Sequence, residues 1–61
     1  MTGKEIIRKL EREGWRVLRQ SGSHMRLGKD AGRTSVPVHG HRDLKAGTVA
    51  AIERQTGVKL R

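Results

Sequence analysis

The chain holds no cysteine, no phenylalanine and no tyrosine, and only one tryptophan, Trp15, and one proline, Pro37. Without cysteine there is no disulfide, no thiolate ligand for zinc and no cysteine nucleophile. That composition suits a reducing compartment. A single ring excludes the sheet-platform mode of single-strand binding, in which successive bases stack on several exposed aromatics. No apolar run approaches the ~18 residues expected of a membrane span. The opening stretch MTGKEIIRKLEREG is charged throughout, unlike a signal peptide. The expectation is a cytoplasmic protein that makes no membrane contact.

Acidic residues are scarce as well. Fourteen Lys and Arg stand against six Asp and Glu, leaving a formal charge of +8 on 61 residues. Glu5, Glu11 and Glu13 lie near the start, and only Asp30, Asp43 and Glu53 follow. Such a field draws in polyanions, of which nucleic acid is the commonest. The plain alternative is a solvated basic surface with no specific partner. With one aromatic, RNA would be held through phosphates, 2′-hydroxyls and shape. The length predicts one domain over 1–61, burying only ~60% of the surface its unfolded chain exposes.

What is present is well punctuated. Thr2 and Glu5 match a capping box, Ile6, Ile7 and Leu10 recur at helical spacing, and Gly14 supplies a stop, so residues 3–13 are predicted helical. WRVLRQ, 15–20, reads as a strand with Trp15 and Val17 on one face and Arg16, Leu18 and Gln20 on the other. Gly22-Ser23 makes a turn. HMRLG, 24–28, is a second strand with Met25 and Leu27 inward, and RTSVPV, 33–38, a third with Thr34, Val36 and Val38 inward. Pro37 lacks a ladder donor and marks an edge or a bulge. HGHRD, 39–43, is a loop. A second helix is predicted over about 44–55, with Asp43 as its cap and Gly57 as its end, and Val58 and Leu60 folding back on the core.

The order α-β-β-β-α predicts an α+β fold: a three-stranded antiparallel sheet with two helices on one face, as in double-stranded-RNA-binding domains. The other face is then bare and carries Arg16, Leu18, Gln20, His24, Arg26, Ser35 and Pro37. A histidine on a bare face does no packing work. Imidazole exchanges protons near neutral pH, and Arg16 and Arg26 on the same face can hold phosphate. Together these groups suit RNA strand scission. A base takes the proton of a 2′-hydroxyl, that oxygen attacks phosphorus, and cations balance the charge that builds on the phosphoryl oxygens. Gly22 and Ser23 would let the RNA backbone come close, and Lys45, at the start of the second helix, would add a cation near a phosphate. On residue types alone, a surface histidine without a task stays open beside this reading.

The ordered pieces Gly14-Trp15, Gly22-Ser23-His24, Val36-Pro37-Val38-His39, Asp43-Leu44-Lys45-Ala46-Gly47-Thr48, Ile52 and Gln55-Thr56-Gly57 resemble the HicA toxins. These are small mRNA interferases of prokaryotic type II toxin–antitoxin pairs. The resemblance runs from Ile6 to Val58. It implies a fold similar to a double-stranded-RNA-binding domain, with His24 of the Gly-Ser-His motif as the catalytic residue. It also implies cleavage of mRNA without a metal or other cofactor, and neutralisation by a HicB-type antitoxin. The acid for the leaving oxygen stays open among His39, His41, Lys45, water and His24 itself.

Other readings are weaker. His24, His39 and His41 could in principle ligate a metal, but only Asp43 is a nearby carboxylate. Ser23 as a nucleophile beside His24 is disfavoured, because adjacent strand residues point apart. A non-catalytic RNA-binding module is the main alternative. A single Lys45 at the start of the second helix is thin for that role.

Overall fold

The computed structural model describes all residues, 1–61. Helix α1 spans Gly3–Arg12, strands β1, β2 and β3 span Arg16–Ser21, His24–Lys29 and Gly32–Pro37, and helix α2 spans Ala46–Thr56. The sheet is antiparallel in the order β1-β2-β3. The predicted element order and the α+β class are the observed ones.

Local chemistry fixes the ends of these elements. The Thr2 hydroxyl accepts from the Glu5 N–H at 3.2 Å, and the Glu5 carboxylate accepts from the Thr2 N–H at 3.0 Å. This reciprocal cap satisfies donors that a helix start otherwise leaves orphaned. The bond from Thr2 holds the Glu5 carboxyl below its ordinary range. At the other end of α1, Lys29 Nζ donates to the Glu13 carbonyl at 2.6 Å, tying the helix to β2. Helix α2 closes at Gly57 with φ 72°, as expected.

The start of α2 differs from the expectation. Lys45 is its N-cap and makes no side-chain cap bond. Asp43 is drawn away instead: its backbone bridges to Thr2 and its carboxylate lies 3.2 Å from the Met1 amine. With α2 beginning at Ala46, Asp43 lies two residues ahead of the N-cap and out of capping position.

One apolar core holds the layers together. It comprises Ile6 and Leu10 of α1, Trp15, Leu27 of β2, Val36 of β3, Val49 and Ile52 of α2, and Leu60. Leu60 and Val58 do fold back, and the tail is held by Glu53, whose carboxylate accepts from the Leu60 N–H at 2.8 Å. That bond, with those from Arg61, holds the Glu53 carboxyl below its ordinary range. Thr34 is the buried polar residue, and its hydroxyl donates to Gln55 Oε1 at 2.7 Å, linking β3 to α2.

Strand β1 contributes nothing to this core. Every residue of it is exposed, and Val17 and Leu18 stand 38% and 51% open. The helices cover β2 and β3, and β1 is an uncovered edge.

Candidate active site

The turn that carries the Gly-Ser-His motif is built by geometry that only its sequence allows. Ser21 pairs with His24, leaving Gly22-Ser23 as a two-residue loop. Gly22 has φ 58° while Ser23 stays at negative φ, the pattern of a type II′ turn with glycine at its first central position. Gln20 Nε2 donates to the Gly22 carbonyl at 3.0 Å and braces the loop. Strand β3 closes on the same corner. His24 pairs with Pro37, and beyond it the Val38 N–H donates to the Ser23 carbonyl at 2.6 Å. Proline costs no bond here, because that edge of β3 faces no further strand. From the covered side, α1 presses its first residue onto Pro37 and Val38. A Cβ at Gly3 would collide with the Pro37 carbonyl oxygen, so only glycine fits there.

The bare face is arranged in cross-strand rows. Ser21, His24 and Pro37 form one row, Arg19, Arg26 and Ser35 the next, and Arg16, Gly28 and Arg33 the third. His24 and Arg26 are exposed, as the strand pattern predicts. Arg26 Nη1 donates to Ser35 Oγ at 3.4 Å. At ~3.3 Å per residue along a strand, Arg26 lies one row, roughly 7 Å, from His24, and Arg16 lies two rows, roughly 13 Å, away. Arg26 and Arg16 therefore stand at different distances along the face from His24. Arg16, Leu18, Lys29, Asp30 and Arg33 line a shallow depression of about 360 Å³ at the end remote from His24.

Two features depart from the expected face. The register slips between Val17 and Arg19, leaving Leu18 as an extra, bulged residue. Beyond it the alternation is reversed. Gln20, expected on the bare face, lies opposite Met25 and lines a groove against α1 with Lys4, Ile7 and Arg8. Arg19, opposite Arg26, turns out to the bare face. With Arg33 it brings the arginines of that face to Arg16, Arg19, Arg26 and Arg33. Plain alternation in β3 was enough to find Arg33, whose neighbour Thr34 faces the core. Arg19 needed the bulge.

Gly22 is exposed, Ser23 half-buried, and Lys45 exposed at the α2 start. The structure thus groups His24, Gly22, Ser23, Arg26 and Arg16 on one surface, and records no bond from Lys45 to any of them. His39 is also exposed, and its ring centroid lies 6.5 Å from that of His24 with the planes at 79°. His41 forms no such pair. No group of three or more His, Cys, Asp or Glu side chains is close enough to hold a metal ion. No helix is long and apolar enough to cross a membrane.

A family model described as HicA toxin of bacterial toxin-antitoxin matches residues 3–58. The chain belongs to the HicA toxin family. Neither a curated protein nor a solved structure matches it. As a HicA toxin it is the toxin of a toxin–antitoxin system and has a cognate antitoxin partner. The match covers both helices and all three strands, and so includes the whole His24 face of this HicA chain.

Proposed function

We propose that this HicA toxin is a metal-independent endoribonuclease that cuts mRNA, with His24 as the proton-transfer group at the scissile phosphate. The observation that carries the reading is His24 itself. It is an exposed imidazole at the end of an arginine-bearing face, free of any packing duty. In this mechanism His24 removes the proton of a ribose 2′-hydroxyl, and the 2′-oxygen attacks the adjacent phosphorus. Arg26, one row away, balances the charge on the non-bridging oxygens. The loop at Gly22-Ser23 gives the backbone a close approach, and the Ser23 hydroxyl can donate to a phosphate oxygen. Arg16, Arg19 and Arg33 engage phosphates further along the chain, and Lys45 adds a cation from the α2 side. No step calls on a cofactor.

The reaction needs a 2′-hydroxyl, so its products are a 2′,3′-cyclic phosphate and a 5′-hydroxyl. The test is incubation of a long single-stranded RNA and its all-deoxy counterpart with the protein in EDTA, with the cut ends identified by mass spectrometry. RNA cut to cyclic-phosphate ends, with the deoxy strand intact, is the expected result. A 3′-hydroxyl end, or activity abolished by EDTA, would overturn the mechanism. Bound but intact RNA would favour a non-catalytic RNA-binding module.

The cognate antitoxin is proposed to be of the HicB type and to cover the His24 face. There it would meet a chain of net charge +8 with acidic groups of its own and bury Leu18, which stands 51% exposed beside the arginines. A structure of the pair with that face open would remove this proposal. A cytoplasmic location is proposed on the same grounds, since the substrate is mRNA.

A further inference from the structure

The proposed reaction breaks a P–O5′ bond as it forms an O2′–P bond. One proton leaves the 2′-hydroxyl and one must reach the departing 5′-oxygen, or that oxygen leaves as a costly alkoxide. His24 accounts for the first proton only. The geometry points to His39 as a second catalytic residue, the general acid that protonates the 5′-oxygen. This inference rests on the ribonuclease reading above.

Three observations carry it. The first is distance: the His24 and His39 ring centroids are 6.5 Å apart, with the rings at 79° to one another. Hydrogen bonds to the reacting oxygens add about 2.6–3.2 Å beyond each ring, so a single phosphodiester laid across the exposed pair lies within reach of both imidazoles.

The second is how His39 is held. Val38 is pinned to the hairpin turn by its bond to the Ser23 carbonyl, at 2.6 Å. On the other side the His39 carbonyl accepts from the Arg42 N–H at 3.1 Å, across a turn in which Gly40 takes φ 61°. His39 is thus fixed between two backbone bonds. Two residues beyond Pro37, it lies on the side of the chain that His24 shares. His41, past Gly40, has no such anchoring to the hairpin.

The third is exposure. Both rings are open to solvent, and neither side chain donates or accepts a hydrogen bond within the protein. Their ring nitrogens are therefore available to a ligand. In one turnover His24 takes the 2′ proton, the O2′–P bond forms as P–O5′ breaks, and protonated His39 gives its proton to O5′. Exchange with water then returns each imidazole to its starting state, so protons balance over the cycle.

A leaving group that needs no proton separates this role from any other. The substrates are an RNA with one ordinary linkage and the same RNA with sulfur in place of the bridging 5′-oxygen, since a thiolate leaves readily without an acid. His39→Ala and the milder His39→Gln are compared with wild type and His24→Ala, with far-UV circular dichroism and melting as checks on folding. Wild type is expected to cut both. His39 variants should lose about 10²–10⁴-fold on the oxygen linkage and recover to within a few-fold of wild type on the sulfur linkage. His24→Ala should stay slow on both.

Undiminished cutting of the oxygen linkage by folded His39 variants would overturn the inference. So would an equal loss on both linkages, which would mark a binding or structural role, and so would rescue of His24→Ala in place of the His39 variants. If wild type leaves both linkages intact while binding them, the ribonuclease reading itself falls. That outcome is distinct from failure of the His39 assignment alone.

Discussion

The two faces of the sheet are built to opposite rules. On the covered face, Leu27 and Val36 are fully buried between α1 and α2, and the one buried polar side chain there, Thr34, has its partner in Gln55. On the bare face, His24, Arg16, Arg19, Arg26 and Arg33 are all exposed, and the few side-chain bonds they make are to the Asp30 and Gly32 carbonyls or to Ser35. The covered face holds the fold, and the proposed chemistry lies on the bare face. Because neighbouring strand residues point to opposite sides, the same β2 segment serves both: Met25 and Leu27 inward, His24 and Arg26 outward. A substitution on one face should therefore leave the other largely untouched.

The sharpest way to break this division is from the covered side. Leu27→Ala removes a fully buried side chain and should cost about 2–5 kcal/mol, against a total of only about 5–15 kcal/mol for a typical domain. Urea unfolding should show a large drop in midpoint, and RNA cutting should fail only to the extent that the chain unfolds. A small shift would mean that the core is not where the stability lies.

A smaller effect is expected from the bare side. Arg26→Ala should leave the melting temperature nearly unchanged, since surface changes of this kind stay within about ±0.5 kcal/mol. RNA binding should weaken across sequences, with the slope of log K against log salt falling by about 1. Arg19→Ala should do the same, because the bulge at Leu18 turns Arg19 outward; an unaltered salt slope for Arg19 would contradict that register.

The smallest effect concerns the tail that closes the covered face. The Glu53 carboxyl is held low in the folded chain by the Leu60 N–H, then by Arg61. A carboxyl lowered on folding contributes stability that is present above the unfolded range, near pH 4.3, and is lost as pH falls through the folded value. Melting temperature should therefore drop more steeply on acidification for wild type than for Glu53→Gln. Parallel curves would mean that the tail bonds add nothing.

Much of this division was legible in the chain. The capping box at Thr2 and Glu5, the stop at Gly57, and the alternation of Met25 and Leu27 against His24 and Arg26 each rest on local chemistry and were found where expected. What escaped the reading depended on tertiary choices. An extra residue at Leu18 leaves no mark in WRVLRQ, so plain alternation puts Gln20 on the wrong face and does not find Arg19. Val17 has the pattern of a core residue, yet the helices settle over β2 and β3 and leave it 38% open. Asp43 would cap a helix starting at residue 44, but α2 starts two residues later, at Ala46. The approach of His39 to His24 depends on β3 closing against the Gly22-Ser23 turn, which no run of residues around HGH reveals.

The division of labour is tested most directly by His24→Ala, with thermal melting and RNA cutting measured on the same preparation. Melting should be unchanged while the cutting rate falls by about 10²–10⁴-fold. Cutting that survives in a folded variant, or a loss that appears only as the variant unfolds, would contradict the assignment of the chemistry to the bare face.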